Sequence, residues 1–437
     1  MVSARRPETR WVTRLIPFVL LGCLVFSTYA FVKHICTDFF IHSRHEFRAA
    51  IALLVVYFLF LVLMLLTYFR LFLVIQFNPG VLPLGPLAVE QRAKQKEERR
   101  KSGMCVRLRE GDLEAHQYDI YSWPDPKPDS PGLEAFYSKD VFVCHTDGWP
   151  RWCSSCYNWK QDRAHHCSEL NRCVKKMDHY CPWVGGIVGE NSFKFFFQFT
   201  FYTTLYCVVG IVSAAFNVHT LIMSGAGVDG VVIGLLGVTA FFGLFAFSMT
   251  ATSARYICLN LTNVDYLKAK TLVHQVAIRV PRGTPPSIGR IASGLDYQVI
   301  TYPLSRPKPE ATEPSPQSSG RTVIDEPVSP RDLLATRTFA IVRTEKGENP
   351  WDLGVYGNWK SVMGNNIIDW LLPFNPSPCE SAETNESFYQ MGPLYQQLRS
   401  RYNLPEIPAS EKGGVELDEL EKQREHRGGG TRTRSSR

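Results

Sequence analysis

The sequence predicts an all-α polytopic membrane protein in which four transmembrane helices carry a cytosolic, zinc-bound, cysteine-rich domain between helices 2 and 3. Two observations lead there: four long apolar runs, and one insert dense in cysteine and histidine. The 437 residues are 45% hydrophobic and 12% aromatic, yet mean hydropathy is near neutral because apolar spans alternate with charged arms. The runs lie at about Leu15–Val32, Ile51–Phe69, Phe195–Phe216 and Val231–Thr250. Each is near the ~20 residues that cross a ~30 Å hydrocarbon core. A cleaved signal peptide would explain only the first run, and no convincing small-residue cleavage site follows it. Gly234, Gly237 and Gly243 punctuate the fourth, a pattern suited to close helix contact in lipid.

Orientation follows from basic residues. Arg5, Arg6, Arg10 and Arg14 precede the first run, and the connection 218–230 has neither Lys nor Arg. The insert from Asn78 to Lys194 and the tail after Arg255 are rich in both, whereas the short loop near Lys33, Arg44 and Arg48 fits less cleanly. Both termini and the insert are therefore expected in the cytosol. A reducing compartment suits metal-bound thiolates, so the 12 cysteines do not require disulfides. The net charge of +7 fits an anionic bilayer surface; with no nucleic-acid motif, nucleic acid is not an expected partner.

Cys153 and Cys156 form a C-x-x-C pair whose thiolates can share one cation across a tight turn. Alone it would fit a redox pair equally well, but His165, His166, Cys167 and Cys173 follow closely and favour zinc. Spacing leaves the third ligand open among His165, His166 and Cys167. Downstream runs Asp178-His179-Tyr180-Cys181-Pro182-Trp183. His179 and Cys181 are two apart, so in an extended backbone their side chains share a face, and Pro182 disfavours helix at Cys181. Imidazole and thiol can then meet, with Asp178 orienting the ring, as in a nucleophile, base and orienter set. The alternative makes His179 and Cys181 two more metal ligands.

These residues carry a resemblance to a family. Cys153-x2-Cys156, then Asp162-Arg163-Ala164-His165-His166-Cys167, then Cys173-x4-Asp178-His179-x-Cys181-Pro182-Trp183-Val184, with Gly189, Asn191 and Phe195, is similar to the DHHC protein S-acyltransferases, or palmitoyltransferases, and within them to the fungal group spelled DHYC. The resemblance implies an enzyme that takes a fatty acyl group from palmitoyl-CoA onto its motif cysteine, here Cys181. It then passes the group to membrane-proximal cysteines of substrate proteins. It further implies a first structural zinc held by Cys153, Cys156, His166 and Cys173. At the positions matching the second zinc stand Cys167, Leu170, Tyr180 and Ile187, so only one of four ligands survives and one zinc is expected. Tyr180 then replaces a metal contact, and Cys167 is a spare thiol.

Arg163, Lys175 and Lys176 are candidate contacts for the phosphates of acyl-CoA, alongside Arg172, and Trp183 is expected beside the thioester. Along the chain we expect a basic arm at 1–14, helices 1 and 2 within 15–77, a basic linker at 78–150, the zinc domain at 151–194 and helices 3 and 4 within 195–252. A cytosolic segment follows at 253–303, a disordered Pro-rich insertion at 304–335, a family-like carboxy-terminal segment at 336–374 and a flexible tail at 375–437. Asn78-Pro79-Gly80 reads as a helix stop, and Val89 to Arg109 as a solvated or headgroup-contacting basic helix. The stretch 260–266 reads as a capping turn outside the chemistry, in the place of the family's Thr-Thr-x-Glu motif. LVHQVAIRV and YQVITY, within 272–302, read as short strands that pair with each other, and Asn358 as a buried structural hydrogen-bonder. A catalytically silent scaffold would also carry a zinc module, but would not need Asp178, His179 and Cys181 intact. A transporter would want ionisable residues within the spans, which hold almost none.

Overall fold

The computed structural model describes residues 7–101, 133–268, 271–287, 296–302, 337–379 and 386–408. The expected insertion, most of the expected flexible tail, and the end of the basic stretch at 102–109 lie outside these residues.

Leucine, phenylalanine and valine side chains on every face make the four spans long helices, of which much of the outer surface is apolar and exposed. They are α1 (Pro7–Ala30), continued by a π-helical stretch Phe31–Ser43, α2 (Phe47–Phe77), α5 (Phe193–Met223) and α6 (Gly230–Leu259), with the shorter α3 (Pro86–Lys101) and α4 (Glu134–Tyr137) between α2 and α5. All four are long and apolar enough to cross a membrane. The helices outrun the apolar runs because polar residues at their ends find partners within the helix. Lys33 pairs with Asp38 at 2.6 Å, which lets the first helix continue well past Val32 and shrinks the loop around Arg44 to a few residues.

Between the helices, small residues set the spacing. A Cβ on Gly210 of α5 would lie 2.7 Å from the Thr239 methyl of α6, and one on Gly243 would lie 3.0 Å from the Cys207 Cβ. Deeper in the bundle, Tyr57 of α2 stacks on Phe31 at 4.0 Å and shares a hydrogen bond of 2.5 Å with Tyr206 of α5. Two phenols thus satisfy each other where no water is available.

The expectation of an all-α protein is corrected by a four-stranded antiparallel sheet on the polar side. Its strands are β1 (Val141–Cys144), β8 (Gln275–Val280), β10 (Arg337–Arg343) and β9 (Gln298–Tyr302), in that order across the sheet. The two strands expected to pair do not touch; β10 lies between them, with Ala340 opposite both Ile278 and Val299. Both faces of the sheet are covered. Phe142, Ala277, Tyr302 and Phe339 pack on one side, and Val276, Ile278, Ala340 and Val342 on the other, against Leu394 and Leu398 of α10 (Leu394–Arg401). Burial on both faces turns β1, β8 and β10 into short continuous apolar runs that lack a clean period of two, whereas the edge strand β9 stays partly exposed.

The carboxy-terminal segment braces α6 with α8 (Gly354–Met363) and α9 (Ile367–Leu371). Asn358 is fully buried: its Nδ2 donates to the Cys258 carbonyl at 2.8 Å and to Asp352 Oδ1 at 2.7 Å, and its Oδ1 accepts from the Leu353 N–H at 2.8 Å. Gln198 of α5 donates to the carbonyls of Asp369, Trp370 and Leu372, which caps the end of α9. Gly210→Val should push α5 from α6 and destabilise the bundle by roughly 1–3 kcal/mol, as overpacking does. A thermal midpoint in detergent reads this, and Thr239→Ala in the same chain should restore part of the loss.

Candidate active site and metal centre

Two short hairpins build the metal centre. β2 (Arg151–Cys153) pairs with β3 (Asn158–Lys160), and β4 (His165–Cys167) with β5 (Arg172–Val174), with His166 directly opposite Cys173. The ligand atoms of Cys153, Cys156, His166 and Cys173 lie within 4.8 Å of one another. His166 Nδ1 stands 3.5, 3.4 and 4.0 Å from the sulfurs of Cys153, Cys156 and Cys173. Tetrahedral zinc, with Zn–S about 2.3 Å and Zn–N about 2.0 Å, would separate sulfur and nitrogen by about 3.5 Å. Three buried thiols and one imidazole at that spacing fit a structural zinc ion, and of the three candidates for the third ligand it is His166 that completes the set.

The alternation of β4 turns its neighbours elsewhere. Cys167 packs with Val174 and Ile187, bordered by Val81, Met177 and Tyr180, while Leu170 is exposed. Among the described residues, the four positions that match a second zinc thus hold an apolar cluster and a surface leucine.

The module is sewn to the end of α2. Leu82 N–H donates to the Cys173 carbonyl at 2.8 Å, Gly85 N–H to Cys156 at 2.9 Å, and Lys175 N–H to Gly80 at 2.9 Å. Gly85 comes so close that a Cβ would fall 1.6 Å from the Tyr157 carbonyl oxygen, which forbids any side chain there.

A third hairpin, β6 (His179–Cys181) with β7 (Gly186–Val188), carries the candidate reactive groups. Extended backbone places His179 and Cys181 on one face, and the thiol interacts with the imidazole. Pro182–Val184 then makes one 3₁₀ turn, closed by Gly185 at φ 75°. Cys181 is 7% exposed and packs with Leu71, Ile75, Val184, Phe193 and Phe196, which places the sulfur beside the ends of α2 and α5. A Cβ on Gly186 would stand 2.4 Å from the Ile75 Cγ2, so the hairpin lies hard against α2.

Asp178 Oδ2 meets His179 Nδ1 at 2.7 Å, which directs Nε2 away from the carboxylate. Burial disfavours the charged ring, but the Asp178 hydrogen bond, the Cys181 contact and the charges of both outweigh it and hold the imidazole up at about 9. The other carboxylate oxygen, Oδ1, accepts from the Asn263 N–H at 2.7 Å.

That last contact is the part of the site that sequence reasoning missed. The stretch at 260–266 is the expected capping turn: Thr262 Oγ1 accepts from the Asp265 N–H at 3.1 Å, and Asp265 Oδ2 from the Thr262 N–H at 3.2 Å. It opens α7 (Asn263–Lys268), whose first amide braces Asp178. The donor is a backbone group, so no residue type signals it.

The five expected acyl-CoA contacts divide, and Arg172 gives Nη2 to the Leu82 carbonyl at 2.7 Å. Arg163 is buried and engaged, giving Nε and Nη2 to Asp265 at 3.0 and 2.6 Å and Nη1 to Asn260 Oδ1 at 2.9 Å. Lys176 is also buried and donates to Asn260 Oδ1 at 3.1 Å. Their shared task is to join the zinc module to the end of α6. Lys175 is half-buried, and Trp183 is exposed, 5.9 Å from the Phe245 ring of α6. Arg163 also borders a cleft of about 370 Å³ with Arg151, Lys160 and Lys268.

A family model described as DHHC palmitoyltransferase matches residues 147–270. The palmitoyltransferase pfa5 of Aspergillus fumigatus is 36% identical over 94% of this chain and 96% of its own length. The pfa5 of Emericella nidulans is also 36% identical, over 90% and 86%. The palmitoyltransferase PFA3 of Saccharomyces cerevisiae is 37% identical over 57% of this chain and 59% of its own.

Asp178→Asn should drop the His179 pKa from about 9 toward the ordinary imidazole value, because the ring loses its carboxylate. A raised pKa stabilises the fold fully below the unfolded value of about 6.5 and ceases to do so as pH rises through about 9. The gap in thermal midpoint between wild type and Asp178→Asn should therefore be widest at neutral pH or below and close above about 9. A gap that is constant across this range contradicts the assignment.

Proposed function

The chain belongs to the DHHC palmitoyltransferase family as a protein palmitoyltransferase of the Pfa5 type, and from this premise we propose that Cys181 carries the acyl group, with His179 and Asp178 managing the proton. The observation that supports this most is the set Asp178, His179 and Cys181, joined on and beside one short strand at the membrane end of the zinc module.

In the first step His179 holds the proton of Cys181 as an imidazolium, and the thiolate attacks the thioester carbon of palmitoyl-CoA. The C–S bond to CoA breaks, and the CoA sulfur leaves with the proton from the ring. In the second step the ring takes the proton of a target cysteine, whose sulfur attacks the Cys181 thioester and releases the Cys181 thiolate. Asp178, fixed by the Asn263 amide, keeps the ring in one tautomer and stabilises its charge.

We assign one structural zinc to Cys153, Cys156, His166 and Cys173; it ties the hairpins together and contributes no Lewis-acid chemistry. The apolar packing of Cys167, Tyr180 and Ile187 supports the loss of the second ion. The phosphates of CoA are assigned to the basic cleft of Arg151, Lys160 and Lys268. Its acidic members do not cancel this charge: Asp265 is paired with Arg163, and burial raises the Asp162 carboxyl to about 7. We assign both termini and the zinc module to the cytosol, a reading that the distribution of basic residues supports, so that soluble CoA delivers a chain that stays in lipid. Each methylene held there is worth about 0.8 kcal/mol.

A clickable palmitoyl-CoA analogue should give a hydroxylamine-labile adduct on wild type and none on Cys181→Ser; no adduct on folded, zinc-loaded wild type would sink the assignment. Metal analysis of pure protein should return one zinc per chain, and two would contradict the single site.

A further inference from the structure

Lys176 and Cys379 meet at the edge of a cleft of about 500 Å³, whose walls do not include Asp178, His179 or Cys181. Lys176 Nζ stands 3.6 Å from Cys379 Sγ. The sulfur is approached at 3.0 Å by Ser377 Oγ and lies 3.2 Å from the Ser361 carbonyl oxygen. The lysine is 6% exposed, whereas the thiol is half-buried and borders the open space. The two groups differ in chemistry as well as in exposure. A thiol bordering a cleft is reached by small solutes, and an amine held within van der Waals range is placed to react with what forms on the sulfur. Burial also lowers the Lys176 pKa, which raises the fraction present as free amine. Cys379 is thus not a lone cysteine: a buried amine, a hydroxyl and a cavity converge on it, and neither the acyl transfer nor the zinc centre uses the pair.

We infer that Lys176 and Cys379 form an oxidant-triggered cross-link, in which peroxide oxidises the thiol and the neighbouring amine captures the product as a sulfur–nitrogen bond. In the first step the Cys379 sulfur attacks one oxygen of hydrogen peroxide; the O–O bond breaks, sulfenic acid forms and water leaves. In the second the Lys176 nitrogen forms a bond to sulfur as the S–O bond breaks, and the hydroxide leaves with an amine proton as a second water. Sulfur gives up two electrons and peroxide takes them, so one peroxide is consumed and two waters are formed. A thiol reductant reverses the link by attacking the sulfur and returning the amine.

The link would join covalently two parts of the chain that the fold otherwise holds by hydrogen bonds and packing. Lys176 lies two residues before Asp178, and its ammonium shares Asn260 Oδ1 with Arg163. Cys379 follows the segment in which the Asn375 carbonyl accepts from Lys194 Nζ at 3.0 Å. Oxidation would tie the loop that leads to Asp178 to the carboxy-terminal segment and take the lysine charge away from Asn260. The inference rests on the proposed function only for that consequence; the link itself is independent of it.

The test is peptide mass spectrometry on full-length protein in detergent, treated with hydrogen peroxide, alkylated and digested, with zinc content confirming the fold of every variant. The expected result is a joined pair of peptides containing Lys176 and Cys379, lighter than their sum by two hydrogens, lost on dithiothreitol and absent from Cys379→Ser and Lys176→Arg. Cys379 recovered unoxidised, or as sulfinic acid with Lys176 free, would overturn the inference. So would the same joined mass in Lys176→Arg. Because the readout is a mass, it stands even if Cys181 carries no acyl group.

Discussion

The carboxylate of Asp178 is held from two sides, and the geometry of the reacting groups depends on it. One oxygen fixes His179 and the other accepts the first amide of α7. A buried carboxylate is costly unless hydrogen-bonded, and here one partner is the candidate base and the other is the scaffold. The hairpin that presents Cys181 and the short helix α7 that follows α6 are joined at this residue. Arg163, reaching from the zinc module to Asp265 and Asn260, makes the same junction a second time.

The zinc module has too little apolar surface to hold three-residue strands in place alone. Its ligands are drawn from two hairpins, its backbone from the exit of α2, and its reactive hairpin leans on Ile75. With zinc bound as proposed, metal, α2 and module would fold as one unit, and loss of Cys153 or Cys156 would remove a ligand and with it the placement of a thiol that neither residue touches.

Much of this was legible in the chain. The four spans follow from apolar length, and the metal set from the pattern of cysteine and histidine, although spacing alone left the third ligand open. The geometry selects His166 because it faces Cys173 across the β4–β5 pair. What stayed hidden depends on contacts between distant segments. β10 separates two strands that looked like partners, because a pairing with a segment more than 30 residues further on leaves no mark in the local pattern. Arg163 and Lys176 looked like phosphate contacts, since a positive charge in sequence does not reveal the buried Asn260 and Asp265 that engage it. The brace on Asp178 is a backbone N–H, which carries no signature at all.

The most direct test of the two-step account is a chase. The enzyme is loaded with labelled palmitoyl-CoA, freed of all CoA species, and given a peptide with a membrane-proximal cysteine. The account predicts that label leaves Cys181 at the rate at which the peptide gains it, with no acyl-CoA present. Label that stays on Cys181, while the peptide is acylated only when acyl-CoA is restored, would contradict it.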